Sequence, residues 1–176
     1  MRLAPFGLAA LLLQLVASQN SALLGSLLHF IAVVIGSTLF HGIIVLPLLL
    51  YLITRITPLR FFRGSREALV TAFATSSSAA TLPITLRCTE QHLHVKKDIA
   101  NFVVPLGATV NMDGTALYEA AAALFIARLA GIELDIASQM IIFVVAMLGA
   151  IGAPGIPSVG MLSMVLVLES VGLPTE

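Results

Sequence analysis

The chain has 176 residues, of which 59% are hydrophobic and 10% charged, and its nine basic and nine acidic side chains cancel. Soluble domains carry about 25% charged residues, so this composition argues against a water-soluble globule, and the zero net charge removes any case for nucleic-acid binding. Cys88 is alone, which excludes an intrachain disulfide and leaves a small buried apolar site as its expected place.

Residues 3–54 contain no charge, enough for two membrane spans of about 20 residues each, with Ser18-Gln19-Asn20-Ser21 as the turn between them. Arg2, the apolar run 8–16 and Ala17-Ser18 imitate a cleaved secretory signal. Pro5 and Gly7 interrupt its start and apolar sequence resumes at Leu23, so a membrane helix is the better reading. His29 and His41 fall in the second span, where hydrogen-bonded packing is their expected role. Gly25, Ser26, Gly36, Ser37 and Gly42 are small residues of the kind that let membrane helices approach closely.

Arg55, Arg60, Arg63 and Arg66 follow as a basic loop, which the positive-inside rule assigns to the cytoplasm. The next basic cluster is Arg87, Lys96 and Lys97, and nineteen uncharged residues, 68–86, separate the two. A single span there would leave one cluster outside. Thr75-Ser76-Ser77-Ser78, followed by Thr81-Leu82-Pro83, also reads wrongly for a lipid-facing helix. Two half-length helices of about ten residues would each reach roughly 15 Å, half the hydrocarbon core, and return to the same side. Residues 57–96 are therefore expected to form a re-entrant hairpin with its serines near the midplane. Non-helical backbone at that depth survives only against protein or a wet cavity.

From Lys97 the chain is expected to cross outward, over 97–131. Residues 99–127 hold only two charges, Asp113 and Glu119, the first within Asn111-Met112-Asp113-Gly114-Thr115. A carboxylate near the centre of a span costs roughly 2.5–3.5 kcal/mol on insertion scales, so it is kept where it has a partner. Asn and Gly flank it and both favour leaving the helix, so the chain unwinds where it places its charge.

Glu133 and Asp135 open the next loop, and thirty-three uncharged residues, 136–168, follow. The stretch from Gly149 to Gly160 holds four glycines, its two ends included, and the prolines Pro154 and Pro157. Helix is expected to stop there, since Pro costs about 3 kcal/mol in a helix interior and Gly about 1. The exit carries Glu169 and Glu176 and no basic residue, so both ends read as non-cytoplasmic. Residues 132–176 thus make a second re-entrant hairpin, entering from the opposite face. The expected architecture is an all-α membrane protein: two N-terminal transmembrane helices over 1–56, then two hairpins of opposite orientation around a broken helix, the pattern of inverted-repeat secondary transporters.

The breaks carry the chemistry. Helix N-termini attract anions, and unwound carbonyls attract cations. Ser77 and Ser78 add hydroxyls to such N–H groups, which suits a substrate carboxylate. Gly107, Thr109, Asn111 and Asp113 offer backbone and side-chain oxygens, which suit a hard ion such as Na⁺. With helix resuming at Gly114, Thr115 and Glu119 share one face. Thr115 could then touch substrate, while Glu119 is either a proton carrier or a neutral, hydrogen-bonded packing residue.

The stretches Thr75-Ser76-Ser77-Ser78-Ala79-Ala80-Thr81-Leu82-Pro83 and Gly107-Ala108-Thr109-Val110-Asn111-Met112-Asp113-Gly114-Thr115-Ala116-Leu117-Tyr118-Glu119 resemble the dicarboxylate/amino-acid:cation symporters, the glutamate-transporter family. The resemblance extends through Gly155-Ile156-Pro157 to Ser170-Val171-Gly172-Leu173-Pro174 and upstream to Pro5-Phe6-Gly7, so it covers essentially the whole chain. It implies a homotrimeric, multi-pass elevator transporter of the plasma (inner) membrane, surrounded by lipid bilayer. Acidic or neutral amino acids or C4-dicarboxylates, small anionic or zwitterionic solutes, would move with Na⁺, H⁺ or both.

Carried over residue by residue, Ser77 and Ser78 match the first-hairpin serines that meet the substrate carboxylate. Thr115 matches a substrate contact, and Pro154, Gly155 and Ile156 match the second hairpin's tip, which acts as the gate. Gly107, Thr109, Asn111 and Asp113 match sodium ligands, with Ala150, Ile151 and Ala153 supplying backbone carbonyls. Glu119 matches a position that is acidic in proton-coupled animal members and an amide in several prokaryotic ones.

The family's last helix, with an Asp and an Arg that read the substrate and a further sodium-binding carboxylate, has no counterpart before Glu176, and the early scaffold helices have none either. Ala150 and Ala153 stand where some members have hydroxyl residues, and Pro154 would stiffen the gate. A split or truncated half that needs a partner chain, or is inactive alone, is the alternative expectation. An enzyme is the least expected reading, because no nucleophile–base pair or metal-ligand cluster is visible.

Overall fold

The computed structural model describes residues 21–152 and 159–173. The first of the two expected N-terminal spans, and the second hairpin's tip with Ala153, Pro154, Gly155 and Ile156, lie outside the described residues. Within them, every regular element is helical.

Helix α1 (Ser21–Phe40) runs through a π-helical turn (His41–Val45) into α2 (Leu46–Thr54). The turn is closed by a bond from the Leu46 N–H to the His41 carbonyl, one residue wider than an α-helical bond. Pro47 comes directly after it, and having no N–H it would interrupt a regular ladder at this point. The stretch Leu24–Thr54 is 31 residues of apolar helix, about 46 Å long, enough by length and composition to cross a bilayer. It ends at Arg55, which adopts a left-handed conformation and donates its N–H to the Tyr51 carbonyl at 2.9 Å.

Helix α3 (Pro58–Thr75) and α4 (Ser78–Arg87) form a helical hairpin. Pro58 suits the start of α3, where its missing N–H costs nothing. Ser76, with φ of 48°, closes α3 on the Ala72 carbonyl, and extended Ser77 caps α4 by accepting the Ala80 N–H at 3.2 Å. Contacts across the hairpin fix its antiparallel register. Thr75 and Thr81 hydroxyls meet at 3.3 Å near the tip, Arg87 pairs with Glu67, and His92 Nδ1 bonds the Gly64 carbonyl at 3.1 Å near the base. The last of these belongs to a second π-helical turn, Cys88–His92, in which Cys88 is buried as expected. Two details differ from expectation. Arg60, Arg63 and Arg66 are helical rather than in a loop, since α3 begins at Pro58. The arms are therefore unequal, 18 and 10 residues.

Helix α5 (Lys97–Val110) is interrupted at Asn111 and Met112 before α6 (Asp113–Leu129) resumes. A left-handed Gly131 turns the chain toward α7 (Ile136–Gly152) and α8 (Val159–Ser170). Asp135 accepts the Ser138 N–H at 2.8 Å at the head of α7, and hydrogen bonds from the Ser138 side chain and backbone hold its carboxyl below the usual carboxylate range. That cap is present at neutral pH and lost as pH falls through the lowered value.

The buried core lies where α6, α7 and α8 meet, and comprises Ala123, Ala127, Ile142, Ala146, Val167, Leu168 and Leu173. Three of its seven members are alanine, so these helices approach closely with few large side chains between them. Phe30 of α1 stacks on Phe125 of α6 at 4.7 Å between centroids and meets Tyr118 at 6.5 Å. Elsewhere large apolar residues face outward, with Phe73 91%, Ile136 80% and Ile53 79% exposed.

Candidate functional site

The interruption between α5 and α6 organises the site. Asn111 (φ −107°, ψ 74°) and Met112 (φ −111°, ψ 54°) both leave helical geometry. The last carbonyls of α5 and the first N–H groups of α6 therefore lack their usual intrahelical partners. Asn111 still donates its N–H to the Gly107 carbonyl at 3.1 Å, and Thr109 Oγ1 donates to the Leu106 carbonyl at 3.0 Å. The Gly107 carbonyl and the Thr109 hydroxyl oxygen can each accept or coordinate once more. Asp113 opens α6, one residue earlier than the sequence suggested, and puts its carboxylate at the break. An acid in the first turn of a helix is favoured by the dipole.

Asp113 has a partner from a distant part of the chain. His41 Nε2, in the first π-helical turn, lies 3.1 Å from Asp113 Oδ2, and both side chains are partly exposed. Among the described residues no group of three or more His, Cys, Asp or Glu side chains clusters as a metal site. A cation held here would meet backbone, amide and hydroxyl oxygens with a single carboxylate, a donor set for a hard monovalent ion rather than a transition metal.

Thr115 and Glu119 project together from α6 against the second helical pair. Gly160 of α8 packs so closely that a Cβ there would lie 3.3 Å from Thr115 Cγ2 and 3.8 Å from Glu119 Oε1. Gly149 of α7 similarly faces Glu119 Oε2, at 3.6 Å from a Cβ built on it. Glu119 is fully buried, receives a hydrogen bond from Ser163 on Oε1, and has no hydrogen-bond partner on Oε2 among the described residues. The carboxyl is thus clasped at the junction of three helices.

Gly149 and Gly160 were expected to stop helix, yet α7 continues through Gly152 and α8 includes Gly160. Their missing side chains provide room for Glu119 and Thr115, which offsets a propensity cost of about 1 kcal/mol each. Ala150 is buried and Ile151 half-exposed in the last turn of α7.

At the first hairpin, Ser77 is partly buried and Ser78 exposed, at the N-terminus of α4, and α4 packs against α5. Three contributors were not singled out from sequence as site residues: Ser163, the close-packing glycines, and His41 as a partner for Asp113. Serine in an apolar helix was the available signal for Ser163.

An interrupted helix bearing its charge at the break thus lies beside a helical hairpin with a serine tip. The chain belongs to the sodium:dicarboxylate symporter family, whose family model matches residues 1–176. It is 48% identical over 174 residues to Excitatory amino acid transporter 5 of Mus musculus, covering 98% of this chain and 31% of that protein. It is 51% identical over 152 residues to Excitatory amino acid transporter 1 of Homo sapiens, covering 86% of this chain and 28% of that protein. With Excitatory amino acid transporter 2 of Homo sapiens it shares 45% identity over 175 residues, 98% of this chain and 30% of the relative. The chain therefore spans less than a third of the length of these relatives.

Proposed function

We propose that the chain is the solute- and ion-handling core of a sodium-coupled secondary transporter for acidic or neutral amino acids or C4-dicarboxylates. The observation that carries this reading is the interruption at Asn111–Met112, which leaves main-chain oxygens and the Asp113 carboxylate together inside an otherwise apolar helix. In this reading Na⁺ is held by oxygens of Gly107, Thr109, Asn111 and Asp113, with Ala150, Ile151 and Ala153 supplying backbone carbonyls. The substrate carboxylate meets Ser77 and Ser78 at the N-terminus of α4, and Thr115 contacts the substrate from the other side. Pro154, Gly155 and Ile156 form the gate.

The two helical pairs enter the membrane from opposite faces as re-entrant hairpins, and alternating access follows from moving them together past a fixed scaffold. Glu119 carries the coupled proton: it is a buried carboxyl placed between the substrate-side Thr115 and both arms of the second pair. Outward-facing apolar side chains such as Phe73, Ile136 and Ile53 meet lipid, scaffold helices or neighbouring copies in a homotrimer. The same surface supports a second reading, in which these residues act only alongside a partner chain that covers it.

The test is the sodium dependence of transport in the complete gene product carrying Asp113→Asn. The variant should raise the Na⁺ concentration for half-maximal uptake of labelled aspartate. An unchanged sodium requirement removes Asp113 from the ion site.

A further inference from the structure

We propose that His41 is a positioning residue for the coupling-ion site: its imidazole holds one oxygen of Asp113 so that the other is presented to the cation. The proposal rests on the reading of Asp113 as an ion ligand and adds to it a residue from a different helix.

Three observations carry it. The first is the contact itself, His41 Nε2 to Asp113 Oδ2 at 3.1 Å, across 72 residues of sequence. A carboxylate only accepts hydrogen bonds, so the ring nitrogen donates. Oδ1 accepts no hydrogen bond from any described side chain or backbone group. The carboxylate thus has one oxygen anchored by protein and one available.

The second is that the contact follows from how α1 packs on α6. Phe30 meets Phe125 and Tyr118 at one end of the pair, and His41 meets Asp113 at the other. The separations are eleven residues on one helix and twelve on the other, about 16 and 18 Å at 1.5 Å per residue. Two antiparallel helices seated on their aromatic contact therefore bring residue 41 level with residue 113.

The third is the π-helical turn that begins at His41. One extra residue in a turn rotates the remainder of the helix by about 100°, and such single turns concentrate at functional sites. Here Pro47, directly after the widened turn, accounts for the presence of the turn but not for its side chains. Its first residue is nevertheless the one polar side chain of the turn His41–Val45, and it is the one that reaches the interruption.

A lone carboxylate beside a broken helix has free torsions, and a hard ion binds more weakly to a ligand it must first immobilise. Hydrogen bonds to ligating groups are worth roughly 10- to 100-fold in metal affinity where they have been removed. The partly exposed setting of this pair points to the lower end of that range.

The experiment uses the complete gene product in detergent, without substrate, and follows thermal stabilisation by Na⁺ titrated against choline. Sodium-dependent uptake in proteoliposomes is measured alongside. His41→Met and His41→Gln fill similar space, but only glutamine keeps an N–H donor. His41→Met should raise the half-saturating Na⁺ concentration about tenfold, and His41→Gln should recover most of that loss. Substrate affinity at saturating Na⁺ should stay within about twofold of the parent in both, because the substrate contacts are untouched.

Wild-type sodium affinity in His41→Met, or equal weakening in both variants, overturns the proposal. Asp113→Asn is the internal control. If it lowers sodium affinity while His41→Met does not, only the role of His41 fails. If it too is without effect, the underlying reading of Asp113 fails first.

Discussion

Replacing Gly160 by valine would test whether the second helical pair is seated on the face of α6 that bears Thr115. A Cβ at this position already lies 3.3 Å from Thr115 Cγ2 and 3.6 Å from Tyr118 Cδ1, at or inside the lower end of the roughly 3.5–4.0 Å optimum for carbon contacts. The two γ-carbons of valine extend about 1.5 Å further, so at least one overlaps Thr115 or Tyr118 unless α8 shifts. Overpacking of this kind costs about 1–3 kcal/mol. Removing a helical glycine returns at most about 0.5 kcal/mol, so the clash decides the sign. If the remaining cost of about 0.5–2.5 kcal/mol falls on the substrate contact proposed for Thr115, half-saturation for aspartate rises roughly 2- to 70-fold. The assay is uptake in proteoliposomes at saturating Na⁺, with thermal unfolding measured on the same preparation. Gly36→Val is the matched control, because a Cβ at Gly36 meets nothing within 4 Å. Equal substrate affinity and stability in Gly160→Val and the parent would refute the seating of α8 on Thr115.

Other outcomes rest on the same contacts. Glu119→Gln should abolish the dependence of net uptake on an imposed proton gradient while leaving substrate exchange intact; an unaltered gradient dependence rejects proton coupling through this residue. Ser163→Ala removes the hydroxyl donor to a buried carboxyl and should lower stability by about 1–3 kcal/mol, read as a reduced melting temperature. The same loss should vanish when Ser163→Ala is made in a Glu119→Met background, because methionine has no side-chain oxygen to accept the Ser163 hydroxyl. Ser77→Ala removes the cap of α4 and should cost about 0.5–2 kcal/mol, with weaker substrate binding as the functional sign. Ser77→Asp, which keeps a capping oxygen, should recover the stability but not the binding of an anionic solute.

The interruption of the crossing helix was legible in sequence because local chemistry sets it. Asn111 and Gly114 flank an acid in an apolar run, and no competing packing force would keep such a stretch helical. The turn of the first hairpin was legible for a similar reason, since Ser77 is a strong helix cap and the basic residues on either side fix which ends lie together. The arm lengths were not. Arg60, Arg63 and Arg66 were read as a loop from their charge, yet a proline start and helix-compatible neighbours extend α3 through them.

Gly149 and Gly160 were misjudged because propensity was weighed without packing. Glycine disfavours a helix by about 1 kcal/mol, but a close helix contact around a buried Glu119 needs the space that a side chain would fill. The His41–Asp113 contact was the least accessible of all. It depends on the relative placement of α1 and α6, and no periodicity in either helix encodes a partner 72 residues away.

The central claim, that these residues couple solute movement to sodium, is tested most directly by the steady-state accumulation of labelled aspartate in proteoliposomes of the complete gene product, measured over a series of imposed Na⁺ gradients at fixed membrane potential. The accumulation ratio should rise with the gradient and fall to equilibrium when the gradient is dissipated or when Asp113→Asn replaces the parent. Accumulation that ignores the sodium gradient, or uptake that merely equilibrates at every gradient, would contradict the account.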